Sequence, residues 1–440
     1  MLTNESHATP MGNHRSESSI YLNFLILLIF LYFLLYEHVL SVWSYKISHT
    51  FSLIIFLLKL FIPLALFILP SVYSFNLLKN RFIFLYIFWF SAFLLLLTLP
   101  TLINGNYVEL LKIIPRFAFF LVLLNLFFLY PKLIDNFIKI FTVILTLSFF
   151  VYILMYLTQG YNSILVVAGL KFGFPGYYIN NITATNWFST FDFPFIRLTA
   201  FFKEPSNASA AYLSSFFLAR YLYQKDPSKY FWSLMSYVML LAGIACMSNA
   251  GFFALGFSFL MTTIINSKKS PHNRLFKKIP VIIIALFILC FALLGRYYVS
   301  SDSELINSYG WLVGIRQMTD SYDPSNGRID IITNVFSSIY TNPLGAGLIN
   351  FTGEDNLYNS ASAPIFWLYY GGIFTLLALL MRELQVLKSF AKYNYLNNIT
   401  PLFQAYLVII GQGLLYGKWM GPLYFIVTAI FLVQSTKISN

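Results

Sequence analysis

The sequence predicts an all-α polytopic membrane protein with about twelve membrane-spanning helices. Three observations carry this. First, 58% of the 440 residues are hydrophobic and only 10% are charged, whereas a soluble domain carries roughly 25% charged residues. Second, apolar stretches long enough to cross a hydrocarbon layer recur along the whole chain, and no long polar segment separates them. Third, the connections between these stretches alternate between basic and non-basic, as loops on opposite sides of a membrane do.

The stretches are Ile20–Tyr36, Thr50–Leu69, Phe82–Ile103, Ile113–Tyr130, Phe137–Leu157, Ser206–Tyr223, Tyr230–Met247, Ala250–Asn266, Ile279–Gly295, Ser362–Met381, Thr400–Tyr416 and Gly421–Gln434. Each approaches the roughly 17–25 apolar residues that a spanning helix needs. Ser206–Tyr223 is weaker because it holds Arg220, which can snorkel to the interface, and Gly421–Gln434 is short. Residues 1–440 are therefore read as one transmembrane domain with a polar tail at 1–19. No cleavable leader is expected, because the first apolar stretch runs into Glu37 and His38 without a small-residue cleavage site.

The basic connections set the orientation. They hold Lys79 and Arg81; Lys132; Arg220, Lys225 and Lys229; Lys268, Lys269, Arg274, Lys277 and Lys278; and Arg382, Lys388 and Lys392. By the positive-inside rule these face the cytoplasm, as do both termini. The net charge of +12 follows from the same rule, so no nucleic-acid partner is expected. Cys246 and Cys290 fall in apolar stretches and read as buried thiols rather than a disulfide.

Two outside connections, 159–205 and 296–361, are long and rich in Tyr, Phe, Trp, Gly and Pro. Long loops in compact proteins are commonly functional. The first ends in Arg197, Lys203, Glu204 and Pro205, where Pro suits the first turn of a helix. Arg197 and Lys203 are candidate anion binders and Glu204 a candidate base; an interfacial salt-bridge cluster is the plainer alternative. The second holds Asn326-Gly327-Arg328-Ile329-Asp330, then apolar residues at a helical period through Val335, Phe336 and Ile339. An amphipathic helix is expected there, closed by Asn342-Pro343-Leu344-Gly345-Ala346-Gly347. Arg328 and Arg316 are further candidates, because the planar guanidinium fork suits a diphosphate; Asp330 is either a second base or the counter-ion of Arg328. Arg116, beside Pro115 and about one turn from the outside end of its stretch, is a candidate for the same site. Lys59 lies nearer mid-span and is assigned no role. Tyr177, Tyr178, Trp187, Trp311, Trp367, Tyr369 and Tyr370 suit sugar stacking, or simply the interfacial aromatic belt.

These segments, in this order, resemble the bacterial O-antigen polymerase and ligase superfamily. The first loop of that family reads Arg-x-x-Gly-x-Phe-x-Glu-Pro-Asn. Here Arg197-Leu198-Thr199-Ala200-Phe201-Phe202-Lys203-Glu204-Pro205-Ser206-Asn207 is similar, with Ala200 in place of the Gly and a shifted order near the Pro. The second loop reads Ser-Gly-Arg, a helix, then Pro-Leu-x-Gly-x-Gly, and Asn326-Gly327-Arg328 and Pro343–Gly347 match it. Ser360–Ala363 and the Gly371-Gly372 turn extend the likeness. The topology covers nearly the whole chain and the motifs about forty residues. The resemblance implies a GT-C-like fold with two periplasmic loops in the inner membrane. It also implies a metal-independent, cofactor-free glycosyl transfer that polymerises oligosaccharide repeat units linked to undecaprenyl diphosphate. Membrane lipid surrounds the site, and the resemblance leaves room for a chain-length regulator as a partner. No His lies in either long loop, which favours the polymerase branch over the ligase; a lipid-oligosaccharide flippase is the alternative of another class.

Overall fold

The structure is a computed structural model. It describes residues 17–37, 49–68, 76–103, 107–159, 164–167, 170–173, 202, 205–246, 248–267, 335–348, 362–397, 399–415 and 419–436. Among them are eleven helices of 15 residues or more. They are α1 (Glu17–Glu37), α2 (His49–Ile68), α3 (Arg81–Ile103), α4 (Tyr107–Leu129), α5 (Pro131–Gln159), α6 (Pro205–Lys225), α7 (Tyr230–Ala245), α8 (Asn249–Ser267), α9 (Ala363–Asn397), α10 (Thr400–Leu415) and α11 (Pro422–Thr436). Every expected apolar stretch except Ile279–Gly295, which lies outside the described residues, coincides with one of them.

Three of these segments, Arg81–Ile103, Pro131–Val151 and Ala363–Tyr393, are long and apolar enough to cross a membrane, and most of the others are shorter apolar helices. The outward faces are apolar too. On α3, Phe84, Phe88, Leu95, Leu99 and Ile103 are exposed, Leu95 to 74%. A continuous apolar exterior of this kind suits lipid and not water. The described residues are thus almost entirely helical, and the chain is a membrane protein.

Helix starts follow local chemistry. α5, α6 and α11 each begin at a proline, whose missing N–H costs nothing in the first turn; Pro205 was expected in this role. The Asn80 side-chain oxygen accepts from the Phe82 N–H at 3.0 Å and so caps α3. α4 starts at Tyr107, earlier than Ile113, because Glu109, Leu110, Leu111 and Lys112 are good helix formers. Pro115 therefore sits inside the helix, and Arg116 is in the third turn rather than one turn from the end.

Packing is layered around α6, whose Ala208–Ala219 stretch is buried on all sides. It is rich in Ala and Ser, small residues that let helices approach closely. α5, α7, α8 and α10 surround it, and α3 lies along α9 over a long contact. α4 packs against α2 and α11.

Ile164–Val167 and Leu170–Gly173, in the first long loop, pair as two short antiparallel strands, with Ile164 opposite Gly173; the β-branched Ile164, Val166 and Val167 favour a strand there. One expectation needs correction: α9 continues far past Met381 to Asn397. Arg382 is therefore not a loop cation; it is fully buried inside the bundle.

The basic end of the bundle is assembled in space. Lys225, at the end of α6, forms an ion pair with Asp135 at the start of α5. In the following turn Lys229 pairs with Asp226 at 2.6 Å, and the hydrogen bond from Lys229 holds the Asp226 carboxyl below the usual carboxylate range. Lys79 and Arg81 meet Lys388 and Lys392 around one cavity. Reporter fusions at Ser270 and Asn394 are expected to read cytoplasmic, and fusions at Gly176 and Ser325 to read outside. A cytoplasmic signal at Ser325 would overturn the alternation.

Candidate functional site

Of the residues singled out in the sequence, Arg197, Lys203, Glu204, Arg316, Arg328 and Asp330 lie outside the described residues, and Arg116 lies within them. Tyr36, in the last turn of α1, is the point on which Arg116 converges. The Arg116 Cζ stands 5.0 Å from the Tyr36 ring centroid, and the Lys59 Nζ of α2 stands 4.8 Å from the same centroid. Both cations are half-buried. Tyr32, one turn back on α1, packs on Tyr36 at 4.9 Å and on Phe119 at 4.0 Å, which fixes the wall behind them. A ring face attracts a cation electrostatically, more strongly where water is excluded. Two cations from different helices thus meet at one ring. Lys59, left without a role in the sequence, is one of them; helical phasing of α2 alone gives no sign of which neighbour it meets.

The second-loop motif is assembled around a break in α9. Gly372 has φ 73° and ψ −175°, so the helix opens and frees backbone groups there. The Pro343–Gly347 segment takes them up. Ile373 N–H donates to the Pro343 carbonyl at 3.1 Å, and the Ala346 and Gly347 N–H groups donate to the Tyr369 and Tyr370 carbonyls, each at 2.8 Å. Leu348 N–H reaches Thr101 Oγ1 at the end of α3, at 3.1 Å. Gly347, at φ 72°, lies so close to α3 that a Cβ would stand 2.6 Å from the Pro100 carbonyl oxygen. The Gly371-Gly372 turn and the Pro343–Gly347 run, separate in sequence, are thus one unit. It stands at the end of the bundle where α3 leads to α4 and so to Arg116.

Residues 335–341 are helical, as expected for this part of the second loop. Val335 and Ile339 pack on Leu368 and Ile373 of α9, while Phe336 and Tyr340 are 51% and 91% exposed. The helix ends where predicted: Asn342 N–H donates to the Ser338 carbonyl at 2.8 Å, and the Asn342 amide donates to the Gly345 carbonyl at 2.9 Å. Two proposed sugar stackers are corrected. Trp367 and Tyr370 are buried, held edge-on by Phe93 at 4.9 Å and tilted against Phe366 at 4.6 Å, so a sugar has no access to them. Cys246 is buried as expected.

Compared with protein-family models, characterised proteins and solved structures, the chain matches none.

A second polar centre escaped sequence reasoning. Arg382 donates from Nε and Nη2 to Glu383 Oε1, at 2.7 and 2.5 Å. Glu383 in turn accepts from the Tyr424 hydroxyl at 2.7 Å and from the Tyr406 hydroxyl. Tyr86 bonds to Tyr424 at 2.7 Å. The guanidinium lies 4.7 Å from the Phe90 ring centroid and 5.0 Å from that of Tyr424, and Nη2 reaches the Trp419 carbonyl at 3.4 Å. Trp419 has φ 50°, a left-handed conformation uncommon outside glycine, and its indole N–H is anchored on the Ile410 carbonyl at 3.1 Å. The signal that could have revealed this centre is the continued period of Leu379, Arg382, Val386, Ser389, Phe390 and Tyr393, all of them buried.

Two outcomes are expected. Arg382→Ala leaves Glu383 buried without its cation and should destabilise by about 3–5 kcal/mol, whereas Arg382→Met with Glu383→Gln should recover most of that; thermal unfolding of the purified protein measures both. Gly347→Ala should cost at least about 1–2 kcal/mol from the left-handed backbone, with a further cost from the contact with Pro100. Unchanged melting in that variant would show the docked segment to be loose.

Proposed function

We propose that the chain polymerises polyprenyl-diphosphate-linked oligosaccharide repeat units at the outer face of the inner membrane, as an O-antigen polymerase type of glycosyltransferase. The finer architecture belongs to the same reading: about twelve spans in a GT-C-like arrangement, two periplasmic loops, and both termini in the cytoplasm. The observation that carries it is the convergence of Arg116 and Lys59 on Tyr36, taken with the interlocking of the Pro343–Gly347 and Gly371-Gly372 segments of the resemblance.

In such a transfer the anomeric carbon of the growing chain loses its bond to the diphosphate oxygen. It gains one to a hydroxyl of the incoming repeat unit, and the hydroxyl proton passes to a base. Negative charge accumulates on the departing diphosphate. Fixed cations in a water-poor setting stabilise that charge without reorganising. Arg116 and Lys59 are suited to this role, joined by Arg197, Arg328, Arg316 and Lys203 on the resemblance. Glu204 is the first candidate for the base and Asp330 the second.

Deleting the gene should collapse a surface-glycan ladder to one repeat per anchor; complete loss of the glycan would favour a flippase instead. Arg116→Ala should lower polymer formation on the order of 100–1,000-fold, the usual cost of one preorganised donor. Arg116→Lys should fall well short of wild type, because the planar fork is lost. Membrane levels are read alongside by immunoblot. A stable Arg116→Ala variant that makes full-length ladder would remove Arg116 from the site.

A further inference from the structure

A cavity of about 930 Å³ opens at the basic end of the bundle, between the start of α3, the later turns of α9 and the ends of α4 and α11. Four cations line it: Lys79 and Arg81 at the α3 end, and Lys388 and Lys392 on α9. All four are exposed, and no acidic side chain lines the cavity among the described residues. Elsewhere at this end Lys225 pairs with Asp135 and Lys229 with Asp226. The positive-inside rule explains why Lys and Arg gather on this side. It does not explain why four of them face one concavity and leave it without a counter-charge.

The rest of the lining suits a lipid. Lys392 lies over the rings of Phe82 and Tyr393, at 5.5 and 5.0 Å, and these rings meet edge-on at 5.8 Å. An aromatic floor with a cationic rim is the surface that a headgroup and its glycerol backbone meet at a membrane interface. The N-terminus of α3 adds partial positive charge at the same spot. Beyond the rim, the outward face of α3 continues with exposed Phe84 and Phe88, a track for acyl chains. The volume is at the upper end of the roughly 300–1,000 Å³ found for ligand clefts, more than one phosphate fills. Basic pockets between membrane helices on the cytoplasmic side hold anionic headgroups.

We propose that this cavity is a binding site for an anionic phospholipid carrying two phosphates, a diphosphatidylglycerol, with Lys79, Arg81, Lys388 and Lys392 gripping the phosphates. The site is separate from the Arg116–Lys59 locus and does not depend on the proposed glycosyl transfer.

Native mass spectrometry of the purified full chain tests it, by titrating diphosphatidylglycerol, phosphatidylglycerol, phosphatidylcholine and inorganic diphosphate in turn. Diphosphatidylglycerol is expected to be retained most strongly and phosphatidylcholine least. The triple variant Arg81→Gln, Lys388→Gln, Lys392→Gln should lose that retention, on the order of fivefold per cation removed. The pair Lys225→Gln and Lys229→Gln, at the same end of the bundle, should leave it unchanged. Should the triple variant fail to fold, Lys388→Gln alone carries the comparison, with a loss of roughly fivefold. Equal retention in the lining variants and the wild type, or an equal loss in the Lys225 and Lys229 control, would overturn the site. Inorganic diphosphate binding as tightly as the lipid would overturn the lipid as its occupant.

Discussion

The Arg382 guanidinium has no access to water, and much of the bundle is arranged to accommodate it. Bare, such a charge costs several kcal/mol in a low-dielectric interior. Its neighbour Glu383 supplies the counter-charge, and the carboxylate is then hydrogen-bonded by hydroxyls from two other helices, Tyr406 on α10 and Tyr424 on α11. α3 contributes the ring faces of Phe90 and Phe93 and the hydroxyl of Tyr86. Four helices are therefore tied to one ion pair. Trp419 accepts a left-handed backbone where its carbonyl turns toward the guanidinium. An ion pair of this kind adds little net stability over a well-packed apolar core. What it does impose is register, because α9, α3, α10 and α11 can satisfy it in one alignment.

That register has consequences at the other end of the bundle. α3 and α9 run together from the ion pair to the break at Gly372, where the Pro343–Gly347 segment completes the backbone hydrogen bonds that the break leaves open. Membrane helices break only where protein or a cavity satisfies the freed groups. The docked segment does this and bridges α9 to Pro100 and Thr101 of α3. The chain entering α4 from there carries Arg116 to the Tyr36 ring, where Lys59 joins it.

Most of the helices were legible in the sequence, because lipid demands about twenty apolar residues per span and leaves basic residues in alternating connections. Pro205 marked the start of α6, and Asn342 the end of the helical turn at 335–341. Three features were hidden for physical reasons. The extension of α9 was lost because Arg382-Glu383 reads as the polar end of a span, although adjacent opposite charges can cancel inside one. The paired strands Ile164–Val167 and Leu170–Gly173 are too short to interrupt a loop reading. The meeting of Lys59 and Arg116 depends on the rotation of α2 and α4 about their axes, which is set by packing between helices and not by the periodicity of either one. The motif partners Pro343–Gly347 and Gly371-Gly372 were each visible, but not their mutual docking.

The central claim is that the Arg116 and Lys59 cations gathered at Tyr36 serve glycosyl transfer from a lipid diphosphate. It is tested most directly by reconstituting the purified chain in vesicles with a lipid-diphosphate-linked repeat unit and following glycan length and free lipid diphosphate together. The account predicts a ladder of products, with one lipid diphosphate released for each new linkage. Repeat units that stay single while no lipid diphosphate appears, in vesicles where the protein is folded, would contradict it.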